Sequence, residues 1–240
     1  MAWEVSLVGD ATDLAMLEQS FHGPDLTISN RGEEYVLTSP VFEALGQAAP
    51  IRERARGLLE LLNGACRMAL DSRTLIRDGA VVFQHPDGRR HMHVSLESVI
   101  AHCRASLSYT ITHCDGTSET YHPADPVREW LGLAETDAAV AKVLRLMSSG
   151  VWDWVNLYRI YEVVEEDYGG IRHVVSKGWA TKKAIRLFKQ TANSSEAIGA
   201  DARHGSRSTT PPPMPMSPPE AKSLIQTIVQ SWLRAKAGAC

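Results

Sequence analysis

Residues 191–205 read TANSSEAIGADARHG, and the arginine and histidine near the end of that stretch are the side chains in this chain best suited to chemistry. An imidazole titrates near neutral pH and exchanges protons with an oxygen, while a guanidinium holds a phosphate in a planar fork. Together, Arg203 and His204 would suit phosphodiester chemistry without a metal. The same pair also has a plain structural reading. Asn193 and Glu196 are spaced like a helix cap and its partner, and Gly205 like the glycine just past a helix end. On that reading SSEAIGADARH makes about three turns. Its final cations then gain about 0.3–1 kcal/mol from the helix dipole. Arg-His also occurs at Arg90-His91 and Arg172-His173.

Around this pair the charge is lopsided. Arg172, Lys177, Lys182, Lys183, Arg186, Lys189, Arg203 and Arg207 stand against Glu196 and Asp201 between residues 170 and 210. Lys182, Arg186 and Lys189 fall four and three apart, which makes one stripe on a helix. With Arg207 they are the candidate nucleic-acid ligands, because such a stripe can follow a phosphate backbone. The stripe would equally balance the acidic segment that holds Glu162, Glu165, Glu166 and Asp167.

Other chemistry is poorly supplied. His91 and His93 share one face of a strand, but a metal needs a third and fourth ligand. If Asp87-Gly88 is a two-residue turn, Val82 and Gln84 pair opposite the histidines. Val81, Phe83, Met92, Val94 and Leu96 then form the buried face and the histidines meet solvent. His102-Cys103 and His113-Cys114 lack zinc-site spacing, so no metal site is expected. GxSxG, GxGxxG and a phosphate-binding loop are all absent, and no cofactor is expected.

Bulk properties set the class. The chain has 240 residues, is 44% hydrophobic and 22% charged, and carries a formal charge of −3. That is an ordinary globular composition, with no whole-molecule attraction for nucleic acid or membranes. MAWEVSLVGD lacks a basic leader and carries Glu4 in its apolar run, which argues against a secretory signal. No stretch approaches the roughly 20 apolar residues of a membrane span. Cys66, Cys103, Cys114 and Cys240 form no CxxC, so free thiols and a cytoplasmic location are expected.

The spacing predicts an α+β chain with a change of texture near YHPADP. In residues 1–122, WEVSLV alternates as a strand, residues 12–21 read as a helix, and LTISN and EEYVLTS flank a hairpin at Arg31-Gly32. Pro50 opens a helix over 51–70 with the stripe Ile51, Ala55, Leu58, Leu62, Cys66, Ala69. Hairpins at Asp87-Gly88 and Asp115-Gly116 complete an antiparallel sheet packed on that helix; ESVIAHCRA between them is ambiguous. All seven lysines lie at Lys142 or later. Residues 125–238 read as an all-α bundle. Asp125 caps its first helix at Pro126. Its stripes are Val140, Val143, Leu144, Met147; then Trp154, Leu157, Tyr161, Val164, Tyr168; then Ala184, Leu187, Phe188, Ala192. The last is Ala221, Leu224, Ile225, Ile228, Trp232, after a capping box at Ser217 and Glu220. STTPPPMPMSPP holds six of the twelve prolines and reads as a stiff spacer.

WDWVNLYRIYEVVEEDYGG, KKAIRLFKQTAN, GADARHG, the proline linker and the terminal helix together resemble a group of bacterial proteins whose helical part is similar to the HEPN superfamily. The resemblance covers roughly residues 135–236. It implies a bundle that dimerises and a metal-independent ribonuclease of a defence or stress system. It further implies that His204 moves protons at the ribose 2′-hydroxyl or the leaving oxygen and that Arg203 holds the phosphate, with Lys182, Arg186 and Lys189 positioning the strand. The family signature places a histidine four to six residues beyond its arginine; here Arg203 and His204 are adjacent. The competing expectation is a non-enzymatic interaction module that dimerises through the bundle, with an N-terminal domain that senses a ligand.

Overall fold

The computed structural model describes residues 2–32, 34–85, 87, 89–93, 109–112, 118–203 and 210–238. The fold is α+β, with an antiparallel sheet in the first half and helices in the second. It divides into two compact units, Met1–Gly132 and Leu133–Cys240.

In the first unit the strands are β1 (Ala2–Val8), β2 (Thr27–Asn30), β3 (Tyr35–Thr38), β4 (Arg77–Gln84) and β5 (Arg90–His93). They form one sheet in the order β2-β3-β1-β4-β5, antiparallel throughout. Three helices join them: α1 (Ala11–Ser20), α2 (Pro40–Leu45) and α3 (Ala48–Ala69). As the alternation predicts, Trp3, Val5 and Leu7 are buried. Glu4, on the other face, is only 2% exposed as well. It stays there because Gln84 Nε2 donates to it at 3.1 Å and Arg31 pairs with it at 3.3 Å. Beside it Ser6 Oγ donates to Glu34 at 2.9 Å, and the Arg90 guanidinium holds the Glu34 carboxyl below the usual range. The register against β4 shifts between Val5 and Leu7. Gly79 lies at that irregularity, where a Cβ would stand 3.1 Å from the Ser6 Cβ, so the close strand approach favours glycine.

Of the expected stripe of α3, Ile51, Ala55, Leu58, Leu62 and Cys66 are buried, and Ala69 at its end is half-buried. Polar clamps fix the helix on β4. Arg52 and Arg56 both grip Asp78, at 3.2 and 2.8 Å. Asn63 Nδ2 donates to the Ile76 carbonyl and Asn63 Oδ1 accepts from the Ile76 N–H, both at 2.8 Å. Gly57 is exposed on α3 with open space where a Cβ would go. Gly57→Ala is therefore expected to stabilise the protein by about 0.5–1 kcal/mol, read as a rise in the urea midpoint.

Two strand expectations need correction. β4 and β5 pair Gln84 with Arg90 and Phe83 with His91, one residue away from a two-residue turn at Asp87-Gly88. The His85 N–H donates to the Arg89 carbonyl at 2.8 Å, which leaves a three-residue loop. The slip puts His91 opposite Phe83, and Met92 is exposed rather than buried, as are all four residues of β5. His91 and His93 are exposed, as expected; Val94 and Leu96 lie outside the described residues. The strands β6 (Tyr109–Thr112) and β7 (Ser118–Tyr121) form a separate two-stranded sheet instead of extending the first. His102, Cys103, His113, Cys114 and the turn pair Asp115-Gly116 lie outside the described residues.

Helix α4 (Asp125–Thr136) starts one residue earlier than expected. Its first bonds go to the Ala124 carbonyl. Asp125 is not its cap: the carboxylate accepts from Ser20 Oγ at 2.8 Å and from the His122 N–H at 2.6 Å.

The second unit is helical, with α5 (Ala138–Ser148), α6 (Trp154–Asp167), α7 (Ile171–Ser176), α8 (Lys182–Ala192), α9 (Ser195–Ile198) and α10 (Pro218–Ala237). Helix α6 touches α5, α8 and α10 and buries Trp154, Leu157, Tyr158, Ile160, Tyr161, Val163 and Val164. Gly169 and Gly170 end it with φ of 79° and 99°. The capping box at Ser217 and Glu220 starts α10, with Ser217 donating to Glu220 from both N–H and Oγ. Lys236 on α10 reaches Asp137, the N-cap of α5, and Asp167 at the end of α6. Burial alone would lower the Lys236 pKa and raise that of Asp137. The hydrogen bond between them reverses both, so the amine sits above its usual range and the carboxyl below. The proline linker, described from Thr210, runs along the bundle: Gln190 Nε2 donates to the Thr210 carbonyl at 2.9 Å and the Met216 N–H to Thr191 Oγ1 at 3.0 Å. Among the described residues no helix is long and apolar enough to cross a membrane.

Candidate nucleic-acid interface

Residues 193–203 correct the expectation of a continuous helix. Asn193 closes α8: its N–H and its Nδ2 both donate to the Lys189 carbonyl. The chain then makes only the single turn α9 before Gly199 takes φ 64°, ψ −135°, a conformation that L side chains rarely adopt. A short 3₁₀ turn, Gly199–Asp201, follows. Ala202 is extended, and the Arg203 N–H returns to the Ala192 carbonyl at 2.9 Å. Arg203 is therefore not in the last turn of a helix.

Its side chain holds the returning segment against α6. The guanidinium lies 4.3 Å from the centre of the Tyr158 ring, and Nη2 donates to Glu162 Oε1 at 2.8 Å. A guanidinium stacked on a ring and paired with a carboxylate is neutralised in place. His204, Gly205 and Arg207 lie outside the described residues.

Lys189 is held in the same way. Its amine contacts both oxygens of Glu165, at 2.9 and 2.7 Å, and sits 4.9 Å from the centre of the Tyr161 ring. Tyr161 itself is buried, which pushes its hydroxyl well above the ordinary phenol range, and the neighbouring Glu165 adds to the effect. Lys189 thus leaves the expected stripe and lies half-buried against α6. The rotation of α8 explains why. The buried residues are Ile185, Phe188, Thr191 and Ala192, whereas Ala184 and Leu187 are half-buried. The buried face is turned toward Ile185 and Thr191 relative to the expected stripe, and Lys189 turns with it.

Lys182 and Arg186 remain exposed, together with Lys183 on the same helix, Arg172 on α7 and Lys177 at its end. Among the described residues none of these five makes an ion pair. The N-terminus of α8 adds the partial positive charge of the helix dipole. An open cleft of about 730 Å³ lies elsewhere in the unit, lined by Lys142, Arg159, Glu162, Glu165 and Glu166 among others. Of its three carboxylates, Glu162 and Glu165 already pair with Arg203 and Lys189. Among the described residues no group of three or more His, Cys, Asp or Glu is placed to hold a metal ion.

Charge and spacing do not point to Trp179, which lies in the loop between α7 and α8. It packs on Tyr168, ring centres 4.4 Å apart, and both rings are half-buried. The one signal for it in the sequence is position: an aromatic residue between Lys177 and Lys182.

Comparison with family models, with curated proteins and with solved structures gave no match.

Proposed function

We propose that the C-terminal unit binds RNA through the exposed cations of α7, the following loop and α8. The observation that carries this reading is the set Arg172, Lys177, Lys182, Lys183 and Arg186: exposed cations with no acidic partner among the described residues. Cations spent on folding are matched by carboxylates in this unit, as Lys189, Arg203 and Lys236 are. Cations left unmatched on neighbouring elements attract a polyanion by releasing its counterions. The HEPN-like sequence pattern supplies the choice of polymer. Arg203 serves the fold on this reading, and the reading is binding rather than cleavage.

The test is titration of the full chain into fluorescently labelled RNA at several salt concentrations, in chelator. Lys182→Gln with Arg186→Gln is expected to weaken binding about tenfold at low salt. It should also flatten the slope of log K against log salt by about 1.4, at roughly 0.7 per lost phosphate contact on a single strand. Affinity and slope equal to those of the parent would remove the reading. Cleavage of the RNA by the parent, lost in an Arg203→Lys variant that melts with the parent and keeps its RNA affinity, would show that the arginine is catalytic.

A further inference from the structure

The cationic surface described above says nothing about the form of RNA it takes, because phosphates are common to all forms. The aromatic side chains say more. Most ring contacts in this unit belong to the buried cluster of Trp154, Tyr158, Tyr161 and Phe188. Lys189 and Arg203 lie on Tyr161 and Tyr158 of that cluster, Lys222 lies 4.8 Å from the Trp152 ring centre, and Lys236 lies 5.2 Å from that of Trp232. The pair Tyr168 and Trp179 differs. It is half-buried rather than fully buried, and among the described residues no cation lies on either ring.

Its position is the second observation. Gly169 and Gly170 fold the chain back immediately after Tyr168. Helix α7 then carries the chain to Trp179, whose N–H donates to the Val174 carbonyl at 3.2 Å. Gly178, with φ 72°, turns the loop between the last residues of α7 and Trp179. Exposed Lys177 is two residues before the indole, and exposed Lys182 and Lys183 are three and four after it. At no more than about 3.6 Å per residue, all three are within about 15 Å of it along the chain. A partly exposed indole braced by a second ring and bracketed by cations with no ion pair among the described residues has the parts of a single-strand site. Bases stack on the ring, and the backbone runs over the charges. A duplex keeps its bases stacked on one another and would meet only the charges.

We propose that Trp179, braced by Tyr168, is a base-stacking platform, and that the RNA bound is single-stranded. This rests on the binding reading above and names the form of its ligand.

The experiment compares two labelled probes of equal length, an unstructured single-stranded oligoribonucleotide and an RNA duplex, with the full chain and its variants. Trp179→Ala is expected to weaken single-strand binding about tenfold, to leave duplex binding within twofold and to leave the salt slope unchanged. Trp179→Phe, which keeps a ring, should bind the single strand within about threefold of the parent. If the alanine variant melts early, Trp179→Leu replaces it: an apolar side chain larger than alanine without a π face, and the same loss expected. Equal loss on both probes, no loss on either, or leucine binding as well as phenylalanine would overturn the platform and leave the cationic surface standing. Unchanged binding by the Lys182→Gln, Arg186→Gln variant, with the tryptophan effect intact, would instead remove the cationic surface and leave the stacking.

Discussion

Trp232→Ala is expected to destabilise the helical unit by about 3–5 kcal/mol and to lower its melting temperature by about 15 °C or more. Trp232 is fully buried on α10 and is the largest such side chain among the described residues. Its loss leaves a cavity that the surrounding close-packed core cannot fill without strain. It also removes a hydrogen bond, because the indole N–H donates to Asp167 Oδ2 at 2.8 Å. Trp232→Phe separates the two contributions. The ring retains most of the packing, so the smaller variant effect, about 1–2 kcal/mol, reports mainly the lost bond. Thermal unfolding followed by circular dichroism checks both. A melting temperature for the alanine variant within 3 °C of the parent would contradict the account of α10 as the helix that closes this core.

Asn63→Leu is the second substitution with a large expected effect, about 2–4 kcal/mol, although it makes the helix more apolar. Asn63 is buried and satisfies both backbone groups of Ile76, a residue that is itself buried at the entry to β4. Leucine is of similar size but leaves an N–H and a carbonyl with no partner, and each such group costs about 1–3 kcal/mol. Asn63→Asp restores the acceptor for the Ile76 N–H and loses only the donor. Urea unfolding is expected to rank the parent above both variants. A leucine variant within 0.5 kcal/mol of the parent would show that the clamp contributes nothing.

The parts of the fold that were legible in the sequence are those whose periodicity is long or whose turn chemistry is local. The stripe of α3, the core faces of α5 and α6, the hairpin at Arg31-Gly32 and the capping box of α10 all depend on residues within a few positions of one another. Features that depend on a distant partner were not legible. Nothing in WEVSLV shows that Glu4 will be buried, because its partners are Arg31 and Gln84. The β4–β5 register turned on whether the loop holds two residues or three, and one residue moves every side chain to the other face. The candidate site failed in the same way. TANSSEAIGADARHG has a cap-like start and a glycine end. Its conformation is decided instead by Gly199 and by the grip of Glu162 and Tyr158 on Arg203, 41 residues from that glutamate. Lys189 looked like part of a surface stripe because the spacing of α8 fixes its faces only to within about one residue. The charge balance between the basic and acidic segments was readable from composition. Which cations it would leave unmatched was not.

The sheet order carries a kinetic consequence. β1 is the central strand, and Val5 pairs with Leu37 on one side and with Val81 on the other. The strand is therefore synthesised well before either neighbour, and its second edge stays unpaired until β4 has left the ribosome. Such long-range pairing slows folding and leaves an apolar β segment open to association with other chains. Glu4 and Ser6, which alternate with Trp3, Val5 and Leu7, act during that interval as gatekeepers. A charge and a hydroxyl in the middle of the segment disfavour stacking with another copy, and the later arrival of Arg31, Glu34 and Gln84 gives both groups partners in the finished sheet.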